Sequence, residues 1–230
     1  MNIEEIKNKL KRNAVVFKTG GIRPTNELSE SWIGKVGWQL ENEKQPIDEK
    51  GNLMIPLATL FLDNYDYIPE SLKNIKLITI YMSDEIWDNL SSFDYKNWFT
   101  IRTYDSLNNL VSCNYTSQNI IPFPLVPELI TNDFPLMEDI EDDVLDLINE
   151  LEEKENIDYY DDILEENHSR HKIGGYPSYI QGGIGYDPGY EFVLQITSDS
   201  KANFNIVDSG NFYFGYNPTT KDWSIRCDFY

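Results

Sequence analysis

Short apolar runs of strand length, separated by turn residues, recur along most of this 230-residue chain. β-Branched and aromatic side chains dominate these runs, and the 15 tyrosines, 11 phenylalanines and 5 tryptophans strengthen the preference for β structure. Such a run, bounded by Gly, Pro, Asn or Asp, predicts a strand. We therefore expect a β-rich α+β fold, with strands at Ala14–Phe17, 32–40 (one strand or a pair), Leu57–Leu62, Ile75–Met82, Trp98–Tyr104, Glu191–Ile196, Asn211–Tyr216 and Trp223–Tyr230.

Two segments have the apolar spacing of amphipathic helices. Ile3, Ile6 and Leu10 predict an N-terminal helix over about residues 2–13. A second set of apolar residues lies between the N-terminal helix and the C-terminal strands. These residues fall on one helical face, and acidic residues fall on the other. This set predicts an acidic connecting helix and consists of Ile140, Val144, Leu147, Ile148 and Leu151.

A proline-rich stretch precedes the acidic helix. Because proline cannot donate a hydrogen bond to a strand ladder and disrupts helix interiors, we interpret this stretch as an extended connector. Its prolines are Pro122, Pro124, Pro127 and Pro135.

The N-terminal and C-terminal parts share an order of features, which predicts an internal duplication. Lys18–Gly21 is followed by Pro24, and Lys172–Gly175 by Pro177; each part then has two strands and a Lys-polar-Trp turn that leads to Ile-Arg. The alternative is that such turns are common in any β-rich protein. We expect one domain over 1–230, in which related halves at about 14–120 and 171–230, linked by 121–170, pack as one compact body. A cleft at their junction is the natural ligand site.

The charge of the chain is strongly negative and uneven. The net charge is −20, and the segment Glu138–Glu166, with fifteen acidic residues and one lysine, supplies −14 of it. This charge disfavours nucleic acids and anionic membranes and favours a basic protein partner. The candidate contacts lie on the outer face of the acidic helix, although a solvated helix surface is the alternative. They are Glu141, Asp142, Asp143, Asp146 and Glu150.

Cysteine use and hydropathy favour a cytoplasmic location. Cys113 and Cys227 are too few for a disulfide framework and fit free thiols in a reducing compartment. The acidic N-terminus argues against a signal peptide, and no apolar run has transmembrane length. The sequence does not predict an oligomeric state.

The glycine-rich stretch Gly174–Gly189 does not match the phosphate-binding motifs. It lacks the Gly-Lys-Ser/Thr of a P-loop and the third glycine of a dinucleotide fingerprint. It is either a loop that needs positive φ angles or a ligand loop that offers backbone N–H groups and tyrosines. His168 and His171 have helical metal-ligand spacing without further ligands, so no metal or cofactor is expected.

A second set of polar residues could line a pocket near the glycine loop. Asp208-Ser209-Gly210 suits a hairpin turn, or it could join His171, Gln195 and Asp199 at one end of a strand. With the loop residues, the candidate ligand site consists of His171, Gly174, Gly175, Tyr176, Pro177, Gln195, Asp199, Asp208, Ser209 and Gly210.

The C-terminal part also carries a family resemblance. The segments His171–Pro177, Leu194-Gln195 and Asp208–Phe214 together resemble the YwqG-like family, also called domain of unknown function 1963. The resemblance is sharpest from His171 to Tyr216, whereas Arg23 before Pro24 and the insertion 25–55 depart from it. The resemblance implies no settled biochemical activity. Because the genes of some members look like neighbours of polymorphic-toxin genes, it implies an immunity role as one option.

Three functional hypotheses follow. The first is a non-enzymatic interaction protein, an immunity-type partner of a basic toxin. The second is a binder of a small ligand, peptide or carbohydrate in a cleft at the Gly-Gly-Tyr-Pro turn. The third is an enzyme that uses His171 with Asp199 or Asp208, and it has the least support because no catalytic motif is recognised and no catalytic residue is assigned.

Overall fold

The apolar runs form strands, and most of the strands join one antiparallel sheet. The computed structural model describes residues 2–63, 65–182 and 185–230. Within them the helices are α1 Ile3–Leu10 and α2 Asp142–Glu155, and the strands are β1 Arg12–Thr19, β2 Ser31–Ile33, β3 Lys35–Leu40, β4 Ile55–Phe61, β5 Leu77–Met82, β6 Phe99–Tyr104, β7 Leu110–Thr116, β8 Phe123–Asp133, β9 Lys172–Gly174, β10 Glu191–Thr197, β11 Asn211–Asn217 and β12 Asp222–Asp228. The β-rich α+β class is therefore confirmed.

The main sheet has ten strands in the order β12-β11-β10-β9-β1-β8-β2-β4-β5-β6, and every pair is antiparallel. β1 and β8 pair at its centre, from Arg12 opposite Asp133 to Thr19 opposite Leu125. We call β2, β4, β5 and β6 the first arm and β9, β10, β11 and β12 the second arm. The remaining strands, β3 and β7, form a two-stranded ribbon.

The proline-rich segment was predicted to be an extended connector. This prediction is wrong, because the segment forms the central strand β8. β8 itself contains Pro124 and Pro127, and each of them lies beyond the end of one of the two neighbouring strands. Pro124 pairs with Trp32, and its carbonyl accepts the N–H of Gly20 (2.8 Å), one residue beyond β1. Pro127 lies two residues beyond the last partner of β2, which is Leu125. The missing N–H groups therefore cost few ladder bonds.

Of the two alternatives predicted at 32–40, one strand or a pair, the structure has the pair, and its two strands lie in different sheets. Gly34, with a φ of +73°, separates β2 in the main sheet from β3 in the ribbon. The predicted duplication matches Lys18–Gly21 with Lys172–Gly175. Lys18–Gly21 lies at the end of the central strand β1, whereas Lys172–Gly175 lies at the end of β9, so the two segments occupy different places in the strand order. Gly34, at the end of β2, holds the corresponding place in the first arm.

The sheet curls until its two edges meet. Phe99 of β6 packs edge-on against Phe212 of β11, with ring centroids 5.2 Å apart. Just before β6, the N–H of Tyr95 donates to the carbonyl of Ile225 (2.9 Å), and the N–H of Ile225 donates to Asp94 Oδ1 (3.0 Å). These bonds cover the edge of β12 and enclose one apolar core shared by both arms.

The helices form a separate apolar cluster beside the sheet. α1 begins with a capping box between Asn2 and Glu5 and buries Ile6 and Leu10 against side chains from α2 and from 159–163. It ends at Leu10, earlier than predicted, because Arg12 begins β1. No helix among the described residues is long and apolar enough to cross a membrane.

Candidate functional site

A glycine turn at the end of β9 begins the candidate site. Gly174 and Gly175 have φ angles of +74° and +67°, which L-residues adopt only with strain. A Cβ on Gly175 would also collide with the carboxylate of Asp133. The turn therefore requires glycine, and the N–H of Tyr176 just beyond it donates to Asp133 Oδ2 (2.7 Å).

A fully buried ion pair lies beneath this turn. Lys172 Nζ donates to Asp133 Oδ2 at 3.0 Å, and both side chains are 0% exposed. The pair has further partners: Lys172 also donates to Ser178 Oγ (3.2 Å), and Asp133 Oδ1 accepts the N–H of His168 (2.9 Å). Burial lowers the pKa of Lys172, and the Asp133 carboxylate opposes that change. Neither residue was predicted to belong to the site.

Side chains of the sheet hold the backbone that follows the turn. Besides Tyr176, the N–H of Ser178 donates to Gln195 Oε1 (2.8 Å) and the N–H of Ile180 donates to Asp228 Oδ2 (2.8 Å). The carbonyl of Ser178 accepts hydrogen bonds from Asn211 Nδ2 (2.9 Å) and Tyr213 Oη (2.8 Å). These buried bonds fix the segment as a rigid floor, although no neighbouring strand pairs with it among the described residues.

Above this floor lies a cleft of about 600 Å³. Its wall combines the glycine turn with tyrosines and carboxylates drawn from both arms and from the segment before α2. The described lining consists of Arg12, Tyr67, Pro69, Glu70, Glu138, Asp139, Gly174, Gly175, Tyr176, Pro177, Tyr179, Gly185, Tyr186, Tyr190, Glu191 and Phe192.

The electrostatics of the cleft are acidic. Arg12 is the only basic side chain in its described lining, and its guanidinium lies over the Tyr176 ring, 4.1 Å from the centroid. Burial raises the pKa of Asp139 to about 6. Asp139 Oδ1 lies 3.4 Å from Tyr179 Oη, whereas its buried Oδ2 has no hydrogen-bond partner within the described part of the chain. The same is true of the buried hydroxyl of Tyr186.

The structure brings only part of the predicted ligand site to this cleft. Gly174, Gly175, Tyr176 and Pro177 line it, whereas Gln195 lies under the floor and its Nε2 donates to the carbonyl of Arg170 (3.2 Å).

His171 and Asp199 pair outside the cleft. His171 Nδ1 accepts the N–H of Thr197 (3.1 Å), so Nε2 carries the proton and donates to Asp199 Oδ2 (3.2 Å). Burial raises the pKa of Asp199, but hydrogen bonds from His171 and Thr19 lower it more, so the net pKa is below its ordinary value. His171 is 4% exposed, and the pair serves to join β10 to the end of β1.

The Asp208–Gly210 segment is a turn outside the cleft, and the carbonyl of Gly210 accepts the N–H of Ser198 (3.0 Å), the residue before Asp199. The carbonyl of Asp208 accepts the N–H of Tyr230 (3.2 Å), and Ser209 has a φ of +55°. A Cβ on Gly210 would collide with the backbone of Asp228, so packing explains this glycine. Of the glycine-rich stretch, Gly183 and Ile184 lie outside the described residues.

The acidic face of α2 points to solvent. Glu141, Asp142 and Asp146 are exposed, while Asp143 pairs with Lys9 (2.8 Å) and Glu150 with Lys154 (2.9 Å). In the described ranges, α2 included, no three His, Cys, Asp or Glu side chains converge as ligands for a metal ion.

The curled sheet, the glycine turn over a buried ion pair and the adjoining cleft define a β-rich class of α+β protein. The family model described as domain of unknown function 1963 matches residues 41–220, and the chain belongs to this family, as the resemblance predicted. The matched part includes Asp133, Lys172 and the glycine turn, whereas Arg12 and Asp228 lie outside it. No curated protein matches this sequence.

Proposed function

We propose that this protein is a non-enzymatic binding protein and that its cleft takes a positively charged ligand. The observation that carries the proposal is the composition of the cleft wall, in which five tyrosines and four carboxylates face a single arginine among the described lining residues. A cation gains both from carboxylates and from the faces of aromatic rings. The position of Arg12 over Tyr176 shows within the molecule how a guanidinium stacks there.

The rigid floor supports this assignment. Amides of Tyr176, Ser178 and Ile180 are already bonded to buried side chains, so the segment does not need to become ordered when a ligand binds. A preorganised site loses less conformational entropy on binding.

Asp139 is the carboxylate best placed to pair with the ligand. It is partly buried and has an oxygen without a protein partner in the described residues, so a cation that reached it would satisfy that oxygen. Because burial raises the pKa of Asp139 to about 6, ligand affinity is expected to fall as the pH drops through about 6.

The test is isothermal titration at pH 7.5 with the neutral-backbone probes N-acetyl-lysine methylamide and N-acetyl-arginine methylamide. N-acetyl-norleucine methylamide serves as the uncharged control. We expect one of the charged probes to bind, and Asp139→Asn to weaken its binding about tenfold, a loss typical of one charge-assisted hydrogen bond.

The matched control is Asp208→Asn, because Asp208 is an exposed carboxylate outside the cleft. Equal binding of the norleucine probe, or equal losses in the Asp139 and Asp208 variants, would contradict the proposal.

A second candidate is the interaction function with a basic partner, of the immunity type that the family resemblance implies. It is favoured by the outward carboxylates of Glu141, Asp142 and Asp146, which have no ion-pair partner among the described residues. Long-range attraction to such a face speeds association and is screened by salt.

This candidate is tested by a pull-down from the source organism at low and moderate salt. We expect a basic protein that is lost with added salt and lost when Asp142, Asp143, Asp146 and Glu150 are all replaced by Ser. Full retention by the quadruple variant would exclude the acidic face.

The internal duplication and the cytoplasmic location belong to the same proposal. Four strands lie on each side of the β1–β8 pair, and Gly34 and Gly174 end the first strand of each arm, which supports two related units. Both cysteines are free, which supports a reducing compartment. The net charge of −20 supports partners other than nucleic acids and anionic membranes.

A further inference from the structure

A second cavity adjoins the tyrosine-lined cleft. Its volume is about 510 Å³, and it shares two lining residues with the first cavity, Glu70 and Glu191. Glu70 comes from the β4–β5 connection of the first arm, and Glu191 begins β10 in the second arm. The two cavities therefore meet at a pair of carboxylates and form one groove that crosses the junction of the arms.

The second cavity differs in chemistry from the first. The first offers tyrosine rings and Asp139, whereas the second adds the hydroxyl and amide groups of Ser71, Asn74 and Thr103 to charged groups that include Asp105 and Lys221. The hydroxyl of Ser71 is buried without a hydrogen-bond partner in the described part of the chain. Hydroxyl and amide groups of this kind pair with the N–H and C=O groups of a peptide backbone.

We infer that the groove binds an extended peptide whose lysine or arginine side chain enters the tyrosine-lined cleft and whose adjoining backbone lies in the second cavity. The inference rests on the proposed function and specifies its ligand. It commits to a peptide because the second cavity adds hydroxyl and amide groups and the ammonium of Lys221 to the carboxylates that the two cavities share. A ligand with one cationic side chain on a backbone of N–H and C=O groups matches that combination.

Lys221 argues against a uniformly charged ligand. This exposed lysine lines the second cavity, where it would repel a polyamine and would instead attract a carbonyl or carboxylate of a peptide. Glu70 already pairs with Lys73, whereas no ion pair of Glu191 is found among the described residues. An oligosaccharide would fit the tyrosines of the first cavity, but it would leave Glu191 without a cationic partner.

The test compares compact and extended probes by isothermal titration. The extended probes are acetylated, amidated penta-alanine peptides with one lysine or arginine at each position in turn; the compact probes are the methylamides used above. Spermidine and a neutral oligosaccharide, chitotetraose, complete the set. We expect at least one peptide to bind about tenfold more tightly than its compact probe, because it gains the contacts of the second cavity.

Thr103→Arg should remove that gain without changing the affinity of the compact probe, because Thr103 is an exposed residue of β6 in the second cavity only. Thr116→Arg is the matched control, since Thr116 is an exposed threonine of β7 in the ribbon. Thermal melts of both variants check that the fold is retained.

The outcomes separate the two proposals. If the compact probe binds as tightly as every peptide, or if Thr103→Arg and Thr116→Arg behave alike, the peptide inference is wrong while the cation site stands. Tighter binding of spermidine or chitotetraose than of any peptide also overturns it. If no charged probe binds, both proposals fail.

Discussion

Each arm of the sheet begins with a hydrogen bond from a backbone N–H to a side chain near the start of its first strand. The arms then differ in what covers their outer face. In the first arm, the N–H of Phe61 donates to Ser31 Oγ (2.9 Å). In the second arm, the N–H of Thr197 donates to His171 Nδ1 (3.1 Å) from the corresponding place in the strand order. The same position is thus filled by a small hydroxyl in one arm and by an imidazole in the other.

The arms diverge at the glycine that ends their first strand. After Gly34 the chain continues as β3, which pairs with β7 and packs the ribbon against β4 and β5. After Gly174 and Gly175, the described residues from Tyr176 to Tyr190 form no strand, and their amides are bound by side chains instead. A strand-paired ribbon therefore covers the first arm. The second arm is covered by a segment that side chains hold, and this segment leaves room for a cleft.

The largest expected effect comes from removing the buried Asp133–Lys172 ion pair, which joins the central strand β8 to the second arm. Asp133→Ala leaves the buried Lys172 ammonium without its counterion and should cost about 3–5 kcal/mol of unfolding free energy. In the first arm, Thr59→Val removes a buried hydrogen bond from Thr59 Oγ1 to the carbonyl of Lys35 (2.9 Å) and should cost about 1 kcal/mol. Urea denaturation measures both, and similar losses would contradict the contrast.

A smaller effect distinguishes the two glycine turns. Gly34→Ala and Gly175→Ala each force alanine into a left-handed conformation, at a cost of about 1–2 kcal/mol. The Gly175 variant should lose more, because its methyl group overlaps the fixed carboxylate of Asp133. That of Gly34 meets the Cγ2 methyl of Ile120 at 2.8 Å and the carbonyl oxygen of Ile121 at 3.2 Å, which are less severe contacts. Thermal unfolding of both variants gives the order, and a larger loss for Gly34→Ala would reverse the argument.

The smallest effect concerns one carboxylate from each region and should differ in sign. Burial raises the pKa of Asp139 to about 6 from 3.8, so the folded state holds the proton more tightly than the unfolded state, and stability falls as pH rises between these values. Asp139→Asn should therefore raise the stability at pH 7 by about 0.5 kcal/mol, a scale typical of partly exposed sites, and remove this pH dependence.

Glu43 is the comparison for Asp139. Its Oε2 accepts hydrogen bonds from Tyr104 Oη (2.7 Å) and the N–H of Leu40 (2.8 Å), so Glu43→Gln should lower stability. Thermal melts across pH 4–8 measure both variants. A stabilised Glu43 variant, or a destabilised Asp139 variant, would show that the carboxylate at the end of the ribbon is not held better than the one in the cleft.

Much of the fold was predictable because the pattern is local. The strands at Leu57–Leu62, Ile75–Met82 and Asn211–Tyr216 were predicted within two residues of β4, β5 and β11. β8 was interpreted as a connector because its prolines disfavour a strand, and only the ends of its neighbours make them acceptable. β9 was not predicted as a strand, since it has three residues and one is a lysine that pairs with a distant aspartate.

The candidate site was predictable only where a turn marks it. The run Gly174-Gly175-Tyr176-Pro177 indicated a ligand cleft in the sequence, and these four residues line the cleft in the structure. His171 and Lys172 adjoin in sequence, but successive residues of extended backbone point to opposite faces, so they joined separate networks. Arg12 was assigned to the predicted helix, and Asp139 to a long acidic segment, and nothing local distinguishes either residue as part of a cleft.

The central position of β1 has a consequence for how the chain folds during synthesis. Its two neighbours are β8 and β9, so β1 must wait until residues 123–133 and 172–174 have left the ribosome. At about 5–20 residues per second, the interval between β1 and β9 lasts roughly 8–30 s. Throughout that time the strand at the centre of the finished sheet has no partner on one of its sides, and the first arm cannot be joined to the second.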